Sequence, residues 1–222
     1  MTPDPGTAPE FDTVILAGGR AARMAGADKP ALVVGETPML VSVARAAAAA
    51  GTRRLIIVGP QRQGSVAAGL ARVASSLPDC LTVTAEEPPG SGPVAALRRG
   101  VAEVTAPWLA LLAADLPFLR GEQISGLLAA ALAAGASGAV LTDEAGREQW
   151  LAGGWQASSL RAALVAYAGT SLHGVLADLN PALVRLADAG EGAPWRDCDT
   201  PDDLASARAW QQAGPPGRNG ER

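Results

Sequence analysis

Short apolar runs alternate through most of the chain with longer segments in which apolar residues recur at helical spacing. Every residue of the run Trp108–Ala114 is apolar, as is typical of a strand that is buried on both faces. In Glu122–Ala134, apolar side chains recur at i, i+3, i+4, i+7 and i+8, which predicts an amphipathic helix. The alternation predicts an α/β fold: a single domain with an open, mainly parallel sheet and helices on both faces.

The same reading places each element along the chain. Strands are predicted at about Thr13–Ala17, Arg53–Val58, Leu81–Thr84, Trp108–Ala114, Gly138–Thr142 and Gln149–Gly154, with short edge strands at Leu183–Leu186 and Trp195–Arg196. Helices are predicted at about Pro38–Ala50, Gln61–Ser75, Pro93–Val104, Glu122–Ala134, Ser158–Ala168, Ser171–Leu179 and Thr200–Gln212. The domain therefore covers residues 11–212, and residues 1–10 and 213–222 are expected to be a disordered leader and tail.

A glycine-rich segment directly follows the first predicted strand. Gly18 and Gly19 let the backbone turn sharply and approach a ligand closely, and free amide groups in such a loop form an anion-binding nest. Arg20, Arg23 and Lys29 add positive charge around it. The segment therefore predicts a phosphate-binding loop at the carboxyl end of a strand, where ligands bind in open α/β sheets.

Two common phosphate-binding loops do not fit this spacing. A Walker A loop needs Lys and then Ser or Thr directly after its second glycine, but here Gly26 is followed by Ala27-Asp28-Lys29-Pro30. A dinucleotide-binding loop needs G-x-G-x-x-G, but Gly18 and Gly19 are adjacent.

The segment instead resembles the signature L-A-G-G-x-[SA]-x-R-M-G-x-D-K of the small nucleotidyltransferases. Ala25 departs from it, since the family usually has Gly there, and Gly26 comes next, so that Asp28 and Lys29 follow one position later than in the signature. The double glycine and the Asp-Lys ending are most similar to the molybdenum cofactor guanylyltransferases (MobA-like), whereas relatives that use CTP more often have Ala-Ala-Gly. The matching residues are Leu16, Ala17, Gly18, Gly19, Arg23, Met24, Asp28 and Lys29.

Two further motifs extend the resemblance to carboxylates. Asp115-Leu116-Pro117 matches the family's Asp-x-Pro segment after its fourth strand, which implies that Asp115 is a ligand of Mg²⁺. Residues 197–204 resemble the closing motif N-x-N-T-P-E-D-L, with Asp199 in place of the second Asn, and Asp199 is therefore a candidate second ligand. Each aspartate also has a purely structural alternative, as the cap of the loop or helix that follows it.

The third motif concerns the nucleotide base. The segment 86–100 resembles the family's G-P-L-A-G-L region, which borders the base, so that Glu86, Gly92 and Pro93 are implied nucleotide contacts. A simple loop that leads into a helix beginning with proline explains these residues equally well. The family has an Asn after its second strand, and here Gly59 replaces it. One nucleotide contact is therefore missing or comes from another residue.

The resemblance implies an enzyme that transfers GMP from GTP to the phosphate of molybdopterin and releases pyrophosphate. Leu16, Ala17, Gly18, Gly19 and Lys29 would bind the nucleotide, and Lys29, Arg23 and Asp115 would be the catalytic residues. The ionised acceptor phosphate needs no strong general base, so charge neutralisation and in-line positioning suffice. Molybdoenzymes or proteins of cofactor biosynthesis are the implied protein partners.

The composition of the chain narrows the range of possible functions. The net charge of −4 argues against sequence-independent binding of nucleic acid, and two distant cysteines argue against a zinc site. No apolar run approaches the ~18 residues of a membrane span, and the N-terminus does not resemble a secretory signal, so we expect a cytoplasmic protein without membrane contact. Two alternatives stay open: a cytidylyl- or other nucleotidyltransferase acting on molybdopterin, a sugar phosphate or another small phosphate, and a non-catalytic homologue that binds a nucleotide or a partner.

Overall fold

The computed structural model describes residues 9–18, 28–186 and 192–213. The strands among them are β1 Phe11–Leu16, β2 Val33–Val34, β3 Thr37–Pro38, β4 Leu55–Val58, β5 Leu81–Thr84, β6 Trp108–Ala113, β7 Gly138–Thr142, β8 Glu148–Gln156 and β9 Ala182–Arg185. The α-helices are α1 Met39–Ala49, α2 Gly64–Ala74, α3 Pro93–Ala102, α4 Gly121–Ala133, α5 Ala157–Ala166, α6 Leu172–Leu176 and α7 Pro201–Ala213. Short 3₁₀ helices cover Lys29–Ala31 and Ala177–Leu179.

A seven-stranded sheet in the order β5-β4-β1-β6-β8-β7-β9 forms the centre of the molecule. The strands β5, β4, β1 and β6 are parallel, and so are β7 and β9. Strand β8 lies between β6 and β7 and is antiparallel to both. The predicted fold class, a mainly parallel sheet in a single domain, is confirmed.

Helices cover both faces of the sheet, as expected for strands without a polar face. On one face, α1, α2 and α4 bury side chains against the sheet around Ile15, Ile57 and Leu112, each at most 1% exposed. On the other face, α3, α5 and α6 pack around Val14, Leu111 and Trp155, each fully buried. Val14 and Ile15, neighbours in β1, thus point into opposite cores, which explains why residues 14–17 are apolar without alternation.

The sequence-based placement was wrong in three details. Residues 33–38 contain a two-stranded antiparallel hairpin, β2 and β3, which is too short to leave a periodic pattern. Residues 194–195 form a turn and not the predicted edge strand at Trp195–Arg196. Strand β8 has nine residues and is longer than predicted, because Gly153 and Gly154, which suggest a strand end in the sequence, pair with β6 and β7 inside it.

The ends of the chain lie largely outside the described residues. In the predicted leader, residues 1–8 are not described, and Glu10 forms an ion pair with Arg53. In the predicted tail, Ala213 is the last residue of α7 and residues 214–222 are not described. Among the described residues, no helix combines the length and the apolar composition needed to cross a bilayer.

Candidate active site

Three neighbouring parallel strands bring their carboxyl ends to one edge of the sheet. Leu16, the last residue of β1, pairs with Val58 of β4 and with Ala113 of β6. The ladder continues beyond the strands, since the Ala17 amide donates to the Val58 carbonyl at 2.8 Å and the Ala114 amide to the Leu16 carbonyl at 3.1 Å. Gly18 and Asp115 therefore follow adjacent strands at the same edge.

Lys29 connects this edge to the C-terminal part of the chain. Its Nζ donates hydrogen bonds to Oδ2 of Asp115 and to Oδ1 of Asp199, and it forms an ion pair with each carboxylate. The side chains of Lys29 and Asp115 are 14% and 19% exposed, whereas Asp199 is 45% exposed. One face of the cluster is therefore open to a ligand.

The environment of Lys29 favours its charged form. Burial by itself would lower the pKa of the ammonium group, but the charges and hydrogen bonds of Asp115 and Asp199 outweigh burial and raise that pKa above 10.5. Lys29 therefore carries a positive charge at neutral pH and is suited to bind an anion, not to act as a base.

Helix α7 holds Asp199 in place. The first turn of α7 is capped reciprocally, since Thr200 N donates to Asp203 Oδ2 at 2.8 Å and Asp203 N donates to Thr200 Oγ1 at 3.2 Å. The helix packs through Leu204 and Ala207 into a third apolar cluster, in which the Phe118 and Trp210 rings meet edge to face at 4.7 Å. Because Phe118 follows closely after Asp115, this cluster joins the two segments that carry the carboxylates.

Negative charge exceeds positive charge within the cluster. Asp197 is affected by the same charges: burial raises the pKa of its carboxyl group, and the charges of Asp199 and Asp115 raise that pKa further. Burial raises the pKa of the Cys198 thiol to about 11, so Cys198 is neutral at physiological pH and is no candidate nucleophile. Within the described ranges, the structure contains no set of three or more His, Cys, Asp or Glu side chains arranged to hold a metal ion.

One of the predicted base-binding residues, Glu86, lies beside Gly18. Glu86 follows β5, and its Oε2 lies 4.0 Å from where a Cβ on Gly18 would be. Its other oxygen, Oε1, accepts a hydrogen bond from the Gly90 amide at 3.0 Å. Gly92, with φ of 96°, precedes Pro93, the first residue of α3. A groove of about 630 Å³ opens here, lined by Ala85, Glu86, Glu87, Ala95, Arg98, Arg99 and Ala102.

Gly59 shows why the family's Asn has no counterpart at this position. Gly59 has φ of 156°, and a Cβ at this position would lie 2.7 Å from the Ala17 carbonyl carbon and 2.9 Å from the Gly18 amide nitrogen. The backbones after β4 and β1 therefore approach each other too closely for any side chain.

We therefore expect Gly59→Asn to lower the free energy of unfolding by about 1–3 kcal/mol, because the new side chain overpacks the backbone after β1. Chemical denaturation measures this change. Gly64→Asn is the matched control, since Gly64 also has positive φ, of 62°, but has open space around it and Asn tolerates that conformation. Equal stability of the Gly59→Asn and Gly64→Asn variants would contradict the close approach.

The structure brings together most of the sequence-predicted site. Leu16, Ala17, Gly18, Lys29 and Asp115 meet at one edge, and Asp199 joins them from α7. Glu86 approaches Gly18 from the segment after β5, and Gly92 and Pro93 lie further along that segment, at the start of α3. Gly19 and Arg23 lie outside the described residues.

Sequence reasoning passed over two residues of this region, Asp197 and Arg62. Asp197 occupies the first Asn position of the closing motif, and that position was the available signal. Arg62 lies in a polar loop after β4, where the local pattern carries no signal for its contacts. Its partners, Ala17 and Asp28, are 45 and 34 residues away in sequence.

The fold and this site define the class of protein: a nucleotidyltransferase-type domain with a glycine-rich turn, a lysine and carboxylates at the carboxyl edge of the sheet. The fold resembles that of a nucleotidyl transferase from Methanothermobacter (TM-score 0.69, 18% identity, 90% of this chain and 96% of the other). It also resembles the molybdopterin-guanine dinucleotide biosynthesis protein A from Archaeoglobus fulgidus (TM-score 0.66, 16% identity, 91% of this chain and 100% of the other). At these identities, the likeness shows the fold alone.

The sequence identifies the family. Residues 13–186 match the profile of the MobA-like NTP transferase domain, and the chain belongs to that family. A relative from Nostoc sp., a probable molybdenum cofactor guanylyltransferase, is 36% identical over 110 residues, which cover 49% of this chain and 47% of the relative. The chain spans about half the length of the curated relatives that it matches. The predicted family is confirmed.

Proposed function

We propose that this protein transfers GMP from GTP to the phosphate of molybdopterin and releases pyrophosphate, in a reaction that depends on Mg²⁺. The observation that carries the proposal is the convergence of Lys29, Asp115 and Asp199 at the edge of the sheet where Gly18 follows β1. Relatives named molybdenum cofactor guanylyltransferase support the choice of substrates.

The carboxylates fit a magnesium ion. Mg²⁺ is bound in nucleotide sites by one or two carboxylates, with phosphate oxygens and water completing its coordination. Asp115 and Asp199 offer two such oxygens beside one cation, and Asp197 adds negative charge nearby, so the cluster can accept a further cation. When bound, the ion would neutralise negative charge on the phosphates of the nucleotide.

The chain's own residues orient the reactants. The backbone at Gly18 lets the triphosphate approach closely, and the Lys29 ammonium group binds its oxygens. In the reaction, an oxygen of the acceptor phosphate forms a bond to the α-phosphorus of GTP, and the bond from that phosphorus to the pyrophosphate oxygen breaks. The acceptor oxygen is already ionised near neutral pH, so these residues need to supply alignment and positive charge but not a strong base.

The groove beside Glu86 suits a guanine base. Guanine presents N–H donors at its Watson–Crick edge, and the carboxylates of Glu86 and Glu87 in the lining are acceptors. The corresponding edge of cytosine carries a ring acceptor that a carboxylate would repel. This chemistry favours GTP over CTP.

The test is a calorimetric titration of the purified protein with GTP, CTP, ATP and UTP in the presence of Mg²⁺. We expect GTP to bind at least about tenfold more tightly than CTP, because a hydrogen bond from a base N–H group to a carboxylate contributes about 1.5–3 kcal/mol and the ring acceptor of cytosine cannot form it. Preference for CTP would replace the proposal by a cytidylyltransferase, which Asp199 and Gly59, both departures from the guanylyltransferase motifs, favour as the second candidate. Binding of none of the four nucleotides would contradict both.

Transfer is tested separately, by pyrophosphate release from GTP in the presence of molybdopterin. Release that requires both substrates supports the complete proposal. Nucleotide binding without release, with molybdopterin and with sugar phosphates, would favour a non-catalytic homologue.

A further inference from the structure

Arg62 makes a set of contacts that the proposed reaction does not use directly. Its guanidinium group donates from Nε to Asp28 Oδ2 at 2.8 Å and from Nη2 to Asp28 Oδ1 at 2.8 Å, a bidentate arrangement. The same Nη2 donates to the Ala17 carbonyl oxygen at 2.7 Å, and Nη1 donates to the Pro60 carbonyl at 3.3 Å. The side chain is only 7% exposed.

These contacts join two positions that flank the glycine-rich segment. Ala17 follows the last residue of β1, and Asp28 immediately precedes Lys29. The loop after β4 thus carries one side chain that binds the chain on both sides of residues 18–27. A planar guanidinium group can do this because its N–H donors point in fixed, divergent directions.

The Asp28 side chain binds Arg62 and does not cap its own helix. Asp28 is the N-cap residue of the 3₁₀ helix Lys29–Ala31, where an aspartate commonly accepts hydrogen bonds from the first turn, yet its side chain makes no capping bond. Both of its oxygens accept from Arg62 instead. The carboxylate is therefore used to fix the position of the chain at residue 28.

We infer that Arg62 is a positioning residue of the proposed active site, which holds Lys29 between Asp115 and Asp199 by tying Asp28 to the end of β1. This inference rests on the proposed function. Arg62 acts through Asp28, and its charge is already paired there, so it is distinct from the cation that binds phosphate. Residues that fix a catalytic group without touching the substrate govern turnover by keeping the reacting atoms aligned.

The test compares Arg62→Met, Asp28→Asn and the double variant in the pyrophosphate-release assay, with kcat and the KM for GTP measured for each. We expect Arg62→Met to lower kcat/KM by about 10²-fold, the order of effect produced by a small misplacement of a catalytic group. Because both single variants remove the same Arg62–Asp28 interaction, the double variant should lose no more activity than Arg62→Met alone. Arg62→Lys should restore only part of the loss, since an ammonium group cannot bind a carboxylate and a carbonyl in this divergent geometry.

Arg72→Met is the matched control, because Arg72 is an exposed arginine on the helix that follows Arg62. It should retain wild-type kcat and KM. An Arg62→Met variant that equals this control would overturn the inference. The inference would also be overturned if the losses of activity in the two single variants added up in the double variant and only Arg62→Met raised the KM for GTP. That pattern indicates direct contact between Arg62 and the nucleotide. An inactive wild-type protein would overturn the proposed function and this inference together, whereas the other two outcomes leave the function intact.

Discussion

Replacing Asp115 by alanine is expected to lower turnover by about 10²-fold or more, the effect of removing one strong electrostatic contribution to a transition state. Asp115 is half-buried at the end of β6 and is one of two carboxylates that contact the Lys29 ammonium group. Its loss would leave Asp199, which is more exposed, in contact with Lys29. The measurement is steady-state pyrophosphate release, together with a Mg²⁺ titration of the activity, whose midpoint should move to higher concentration.

Asp143→Ala provides a matched control for this variant. Asp143 also directly follows a buried strand, β7, but its carboxylate accepts from Arg147 N at 2.9 Å and Arg147 Nε at 2.8 Å within the same turn. That variant should keep wild-type turnover even if it unfolds at a lower temperature. A folded Asp115→Ala protein with the turnover of Asp143→Ala would remove Asp115 from the catalytic site.

Replacing Lys29 by alanine is expected to weaken GTP binding by about 10- to 100-fold, the loss of a charge-assisted hydrogen bond. The same change should strengthen the binding of Mn²⁺ in the absence of nucleotide, because Asp115 and Asp199 then lose the ammonium group that neutralises them. Calorimetry with GTP and electron paramagnetic resonance with Mn²⁺ measure the two affinities. Partial unfolding would weaken the binding of both ligands, so weaker GTP binding together with stronger Mn²⁺ binding indicates a specific effect of Lys29.

Arg208→Ala controls for the loss of one positive charge. Arg208 is on α7, donates to the Val33 carbonyl at 2.9 Å, and lies outside the cluster of Lys29 and its carboxylates. Its replacement should leave both affinities unchanged. A GTP titration of Lys29→Ala that superimposes on that of Arg208→Ala would contradict the assignment of Lys29 to the site.

Lys29 is also the only lysine of the chain, since every other basic side chain is arginine. An amine-reactive reagent can therefore modify only Lys29 and the N-terminal amine. The raised pKa of Lys29 leaves little of the reactive neutral form, so labelling at pH 8 should be slow and should accelerate in Asp115→Ala. This comparison reports on the ion pair without any substrate.

Local sequence features predicted the positions of the elements well. The apolar run of β6, the helical periodicity of α4 and the Thr-Pro-Asp-Asp start of α7 each depend on residues that are close together in the chain. The errors of these predictions are also local: the β2–β3 hairpin is too short for a periodic signal, and Gly153 and Gly154 suggest a strand end although they lie inside β8. The resemblance of the glycine-rich segment, of Asp115 and of the closing motif led to the correct family because those motifs are short and contiguous.

The α/β class, the buried strand before Gly18 and the aspartates at the ends of elements follow from the sequence, because they depend on local spacing and residue chemistry. Which charged groups meet depends instead on the three-dimensional fold. Lys29 contacts Asp115 and Asp199, 86 and 170 residues away, and Arg62 binds Asp28, 34 residues away. Such pairs depend on strand order and on helix packing, because a half-buried charge needs an opposite charge that the fold, and not the neighbouring sequence, places beside it.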